Sequence, residues 1–157
     1  MRLVIVAVGE KLPNWAETAA VDYIGRMPRT APTSLMSVRT EPRRANRTST
    51  QCMQAEATRI EAAIPAGARR IVLDEHGRDQ TTRQLADRLA RWLAEGRDCA
   101  FLLGGPDGLD SALKGTADAT WRLSSLTLPH ALARVILAEQ LYRAMSILEN
   151  HPYHRGD

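Results

Sequence analysis

A chain of 157 residues, 44% hydrophobic and 25% charged, has the size and apolar content of one globular domain around a single core, and two domains would be cramped. Its first apolar stretch, MRLVIVAV, runs for about six positions where about 20 are needed to cross a bilayer, and no small-residue cleavage site follows, so a cytoplasmic protein without a membrane anchor is expected. A net charge of +3 and a pI of about 9.2 permit a phosphate-rich partner without requiring one.

RLVIVAV (2–8) reads as a buried strand, after which Pro13 and Asn14 open a helix with Trp15, Ala19, Tyr23, Ile24 and Met27 on one face. SLMSVR (34–39) reads as a second strand. The stretch EPRRANRTS (41–49) has no apolar periodicity and sets Arg43, Arg44 and Arg47 against Glu41. It is either a solvated loop in an arginine-rich chain or a mobile basic loop suited to phosphate contacts, which set affinity without reading bases. Met53, Ala57, Ile60 and Ile64 then recur at helical spacing before Pro65 and Gly67, and RRIVLD (69–74) is a third strand.

Thr81 and Gln84 form a T-x-x-Q capping pattern ahead of Leu85, Leu89, Trp92 and Leu93, and Gly96 supplies a C-terminal stop. DCAFLL (98–103) and TWRLS (120–124) are the fourth and fifth strands, and ALARVILAEQLYRAMSIL is a long helix. Strands alternating with helices predict an α/β fold, a mainly parallel sheet flanked by helices, as a single domain over 1–157. Cys52 and Cys99 lie in different predicted elements and read as buried, reduced thiols.

In the last helix Leu132, Val135, Ile136, Leu137, Leu141, Tyr142, Met145 and Leu148 cover more than one stripe, so it needs burial on more than one side. A partner subunit in a two-fold dimer is the simplest source of the second side; a helix wrapped by its own chain is the alternative.

Ligands of open α/β sheets bind beyond the carboxyl ends of the strands. The loops there carry Leu73 and Asp74 after the third strand, GGPDGL (104–109) after the fourth and SSLTLP (124–129) after the fifth. Gly104 and Gly105 allow close backbone approach to a ligand, although Gly-Pro-Asp-Gly is also an ordinary turn. No Walker loop, dinucleotide fingerprint, nucleophile elbow or helical zinc pair is present. What remains is a pocket of backbone loops and leucines, suited to a flat, mostly neutral cofactor, and a tail, NHPYHRGD, that is either a fraying terminus or a source of proton-transferring groups.

LLGGPDGL, SLTLPHALARVILAEQLYRA and NHPYHR, in this order and spacing, together with LVIVAVGEKLPNW at the start, resemble the ribosomal RNA large subunit methyltransferase H family of the SPOUT (α/β-knot) superfamily. The resemblance implies a C-terminal trefoil knot, a homodimer, and S-adenosylmethionine as cofactor. It implies methyl transfer to N3 of a pseudouridine in 23S rRNA of assembled ribosomes. Cofactor binding then maps onto Leu73, Gly104, Gly105, Leu123, Ser124, Ser125, Leu126, Thr127 and Leu128, with no metal. A helix from His130 to Leu148 spans about 28 Å at 1.5 Å per residue. The tail therefore begins far from its own chain's cofactor loops and is expected to complete a partner's site.

There His154 is the expected proton acceptor, Tyr153 stacks on or bonds the base, and Arg143 or Arg155 contacts phosphate; Asp74 or Glu139 could accept the proton instead. Arg43, Arg44 and Arg47 are assigned to RNA. His130 reads as the residue leading into the helix, and Glu139 with Arg143 also fits a plain helix pair. A non-catalytic RNA- or ribosome-binding protein on the same fold, or an enzyme acting on another RNA, are the competing expectations.

Overall fold

The computed structural model describes residues 1–155; Gly156 and Asp157, which close the tail and the expected single-domain span, lie outside the described residues. Five strands, β1 (Leu3–Val8), β2 (Thr33–Val38), β3 (Arg69–Asp79), β4 (Cys99–Leu103) and β5 (Ala119–Arg122), form one sheet in the order β2-β1-β4-β3-β5. Every pairing is parallel. The helices are α1 (Asn14–Gly25), α2 (Ser49–Ala63), α3 (Thr82–Glu95), α4 (Ser111–Lys114) and α5 (His130–Leu148).

β1 and β4 are buried throughout, which is why they read as unbroken apolar runs. Leu3, Ile5 and Phe101 point to one face and pack with Leu89 and Trp92 of α3 and Leu137, Leu141 and Met145 of α5. Val4, Val6 and Leu102 point to the other, against Ala57 and Ile60 of α2 and Leu113 of α4. Alternation along a strand thus feeds two cores from one sheet. Trp92 stacks on Trp121 at 5.7 Å between ring centroids and 4° between planes, tying α3 to β5.

Several expectations are corrected. α1 packs Tyr23, Ile24 and Met27 against the core as expected, but in its first turns it buries Ala16 and Ala20 in place of Trp15 and Ala19, and Trp15 is 57% exposed. β3 runs five residues beyond Asp74 because it continues to pair with β5 after an irregularity: Leu73 and Arg78 both face Trp121, and residues 74–77 loop out between them. α4, capped by the Asp110 side chain, lacked a sequence signal long enough to read. α5 packs against both α1 and α3 within the chain, while Leu132, Val135 and Ile136 of its apolar circumference remain only half-buried. Cys52 and Cys99 are free and buried, and burial above all pushes the Cys99 thiol up, away from the reactive thiolate.

Candidate functional site

The carboxyl ends of β1, β3, β4 and β5 open onto one cavity of about 730 Å³. Leu73, Gly104, Gly105, Leu123, Ser124, Leu126, Thr127 and Leu128 line it; of the nine expected cofactor residues, Ser125 alone does not. Three segments far apart in sequence therefore share one space because parallel strands deliver their following loops to the same edge.

Gly104 owes its lack of a side chain to packing within the loop, and Gly105 to packing of the loop against β1. A Cβ on Gly104 would stand 2.4 Å from the Gly108 carbonyl carbon, and one on Gly105 would stand 2.9 Å from Val8 Cγ1. Leu126, at the mouth, is 75% exposed, an apolar surface that a ring in the cavity would cover. Asp74, Glu75 and His76 form another wall. There the Asp74 carboxylate accepts from the His76 N–H at 2.8 Å and from Lys114 Nζ at 3.2 Å. Burial drives its pKa upward, but these two bonds outweigh it and leave Asp74 below the ordinary carboxylate value, hence ionised. Among the described residues no cluster of three or more His, Cys, Asp or Glu could hold a metal ion.

Sequence reasoning missed the far end of this cavity, lined by Val8, Gly9, Thr40 and His130. His130 Nε2 lies 2.6 Å from the Val8 carbonyl. One helical turn on, Arg134 is 1% exposed and donates to the Val8 carbonyl (2.6 Å), the Gly9 carbonyl (2.8 Å) and Ser37 Oγ (3.1 Å). The available signal was the i, i+4 spacing of a histidine and an arginine inside an apolar helix.

The tail docks on its own chain. Tyr153 packs on Tyr142 at 4.7 Å between centroids, and its hydroxyl donates to Glu139 Oε1 at 3.1 Å and lies 3.4 Å from the Tyr23 hydroxyl. Burial first, then these two contacts, raise the phenol's pKa, so Tyr153 stays protonated. Arg143 pairs with Glu139 at 2.6 Å, covers the Tyr153 ring at 4.8 Å and approaches His154 Nδ1 at 3.4 Å. Arg143, Tyr153 and His154 are thus brought together, and Glu139, read as a plain helix pair with Arg143, joins them. His154 Nε2 is buried and has no partner among the described residues. An imidazole that accepts at Nδ1 carries its proton on Nε2. Arg155 is exposed and bonds only the Pro152 carbonyl among the described residues. None of these tail residues lines the cavity.

The basic loop is internally compensated. Arg43 bonds both oxygens of buried Glu56 (2.6 and 3.0 Å) and reaches Asp107 at 3.1 Å, while Arg47 and Arg59 both pair with Glu41. Arg44 is exposed and makes no ion pair among the described residues.

The parallel sheet and the loop-walled cavity at its carboxyl edge define the class, and the sequence places the chain in it. A family model described as "Predicted SPOUT methyltransferase" matches residues 1–154, and the chain belongs to this SPOUT methyltransferase family. Within it, the chain is 58% identical to the Ribosomal RNA large subunit methyltransferase H of Bordetella petrii, over 99% of this chain and 100% of that protein. It is 56% identical to the protein of that name from Leptothrix cholodnii, over 99% of each. The fold is also that of a probable methylase family protein from Haemophilus influenzae (TM-score 0.56, 15% identity, 99% of this chain and 70% of that one).

Proposed function

We propose that this chain transfers a methyl group from S-adenosylmethionine to N3 of a pseudouridine in 23S rRNA of assembled cytoplasmic ribosomes, working as a homodimer. The observation that carries the reading is the convergence of Leu73, the Gly104–Gly105 turn and the segment 123–128 on one cavity. It stands in a chain closely similar over its full length to proteins named Ribosomal RNA large subunit methyltransferase H. Family membership also supports a single domain over 1–157 and passage of the β5–α5 segment through a trefoil knot.

The cavity fits the cofactor. Its volume lies in the range that holds small ligands, its leucines suit a purine ring, and its loop backbones supply polar edges. When bound, S-adenosylmethionine supplies a methyl group made electrophilic by a positive sulfur.

The chain's residues hold the imide nitrogen in line and accept its proton. In our reading the tail enters the partner's cavity, because within its own chain it lies against α1 and α5. Tyr153, fixed as a donor, stacks on or bonds the target base. His154 accepts the N3 proton at Nδ1 once Arg143 turns to phosphate. Arg155 and Arg44 bring unpaired charge for the RNA backbone. Arg43 and Arg47 could reach RNA only by releasing carboxylates, so we assign them mainly to holding the loop.

The test is incubation with methyl-labelled S-adenosylmethionine and either ribosomes lacking this methylation or their stripped RNA, with the label mapped by nucleoside mass spectrometry. The expected result is label at N3 of a pseudouridine in ribosomes. Label at another nucleotide would point to a different RNA target; cofactor binding without any label would replace this reaction, and no cofactor binding would leave an RNA-binding protein on the same fold.

A further inference from the structure

His130 and Arg134 form a buried device at the cavity's far end that the tail chemistry leaves unused. Among the described residues Arg134 is the largest fully buried side chain, and no carboxylate pairs with it. A cation in that setting needs a reason, since burying an unpaired charge is costly.

Its hydrogen bonds supply one. Nη2 has two hydrogens, and two carbonyls take them: Val8 at 2.6 Å and Gly9 at 2.8 Å. His130 Nε2, though only 2.9 Å from Nη2, therefore receives no hydrogen from it. The same Nε2 stands 2.6 Å from the Val8 carbonyl oxygen, where a bare nitrogen would set lone pair against lone pair. Nε2 thus bears the proton and donates to Val8, and Nδ1 is bare. Nδ1 has no partner among the described residues, in a side chain that lines the cavity.

The surroundings hold that state. Burial first, and the Arg134 cation second, depress the ring's pKa and outweigh the Val8 carbonyl. Gly9 closes the arrangement: its φ is +113°, and a Cβ there would stand 3.0 Å from Arg134 Nη2 and 3.9 Å from His130 Nε2. Ring neighbours come from α5 (Arg134) and from β1 and its following loop (Val8, Gly9).

We propose that His130 is a fixed, uncharged hydrogen-bond acceptor of the cofactor cavity, its Nδ1 receiving an N–H from the bound ligand, and that Arg134 and Gly9 are the positioning residues that hold it so. This rests on the methyltransferase reading. The N–H belongs either to an amino group of the cofactor or to the imide of the target base, and in both cases His130 binds without taking the proton.

Two measurements decide it. Long-range ¹H–¹⁵N spectra of the free protein should show His130 protonated at Nε2 and bare at Nδ1 at neutral pH; a proton on Nδ1, or an imidazolium, overturns the proposal. In Arg134→Gln the ring should titrate closer to its ordinary value of 6.5. An unmoved titration would remove Arg134 from the positioning role.

The second measurement compares His130→Gln, whose amide can keep the bond to Val8 while offering nothing at Nδ1, with His130→Asn, which returns a polar atom near Nδ1. His130→Gln should weaken S-adenosylmethionine binding about tenfold, placing the donor on the cofactor, or slow single-turnover methylation about tenfold at saturating cofactor, placing it on the target base. His130→Asn should recover part of either loss. If a folded His130→Gln protein changes neither quantity while wild type binds and methylates, this inference falls alone. If wild type binds no cofactor, the functional reading falls with it.

Discussion

At Glu56 a carboxylate only 2% exposed accepts two bonds from Arg43 and one from the Glu41 N–H at 3.1 Å. Removing the guanidinium strands a buried charge, so Arg43→Ala should cost about 2–3 kcal/mol, below the range for fully buried pairs because Arg43 retains some solvent. Replacing both partners by apolar residues (Arg43→Met with Glu56→Leu) should recover most of that loss, read as the urea midpoint. If Arg43→Ala left stability unchanged and weakened only RNA binding, the structural assignment would fail. His130 gives a second test at this scale. Its folded pKa lies below 6.5, so the unfolded chain takes up the proton first as pH falls. The stability it contributes is complete above about pH 6.5 and declines as pH drops below that towards the folded value. Wild type should therefore lose stability between about pH 7.5 and about pH 5.5 in excess of His130→Gln, which differs from it only in this ring. Equal losses would contradict the depressed pKa.

Elements were legible where their ends carry local chemistry. The Thr81–Gln84 capping box and the left-handed Gly96 cap (φ 72°) of α3 stand where the sequence put them, because each motif is decided within four residues. Thr81→Ala should cost about 1 kcal/mol, measured by thermal or urea unfolding, with a similar loss at Thr48, which caps α2 in the same way. A loss within error at both positions would mean that tertiary packing, not capping, fixes these helix starts. The start of α1's buried face was not legible, because apolar residues at both 15 and 16 support two stripes and only the packing against α5 selects Ala16 and Ala20. Nor was the loop-out of β3: charged residues after Leu73 look like a strand end, and only β5 shows that pairing resumes at Arg78. A Cβ on Gly77 would fall 2.3 Å from the Trp121 backbone, so Gly77→Ala should break this ladder and lower the thermal midpoint by more than either cap mutation. A Gly77→Ala midpoint near wild type would show that the β3–β5 edge can shift to accept a side chain.

For the molecule as a whole, the cavity was largely foreseen, since the sheet rule picks loops by topology and the family resemblance names residues within them. What escaped was the His130–Arg134 end, where a buried arginine bonded to carbonyls 125 and 126 positions away has no trace in local sequence. The tail was expected to complete a partner's site, but its docking was not expected: it folds back to Glu139, midway along α5, and none of its described residues lines its own chain's cavity. In the proposed dimer one chain's cavity and another's tail make one active site. This sharing is tested by co-expressing two differently tagged chains, one with Thr127→Trp filling the cavity mouth and one with Tyr153→Ala and His154→Ala in the tail, and purifying the heterodimer. With both lesions falling in one of the two sites, the other site is intact, and about half the wild-type methylation rate on ribosomes should return. A heterodimer as inactive as each parent homodimer would contradict the shared site.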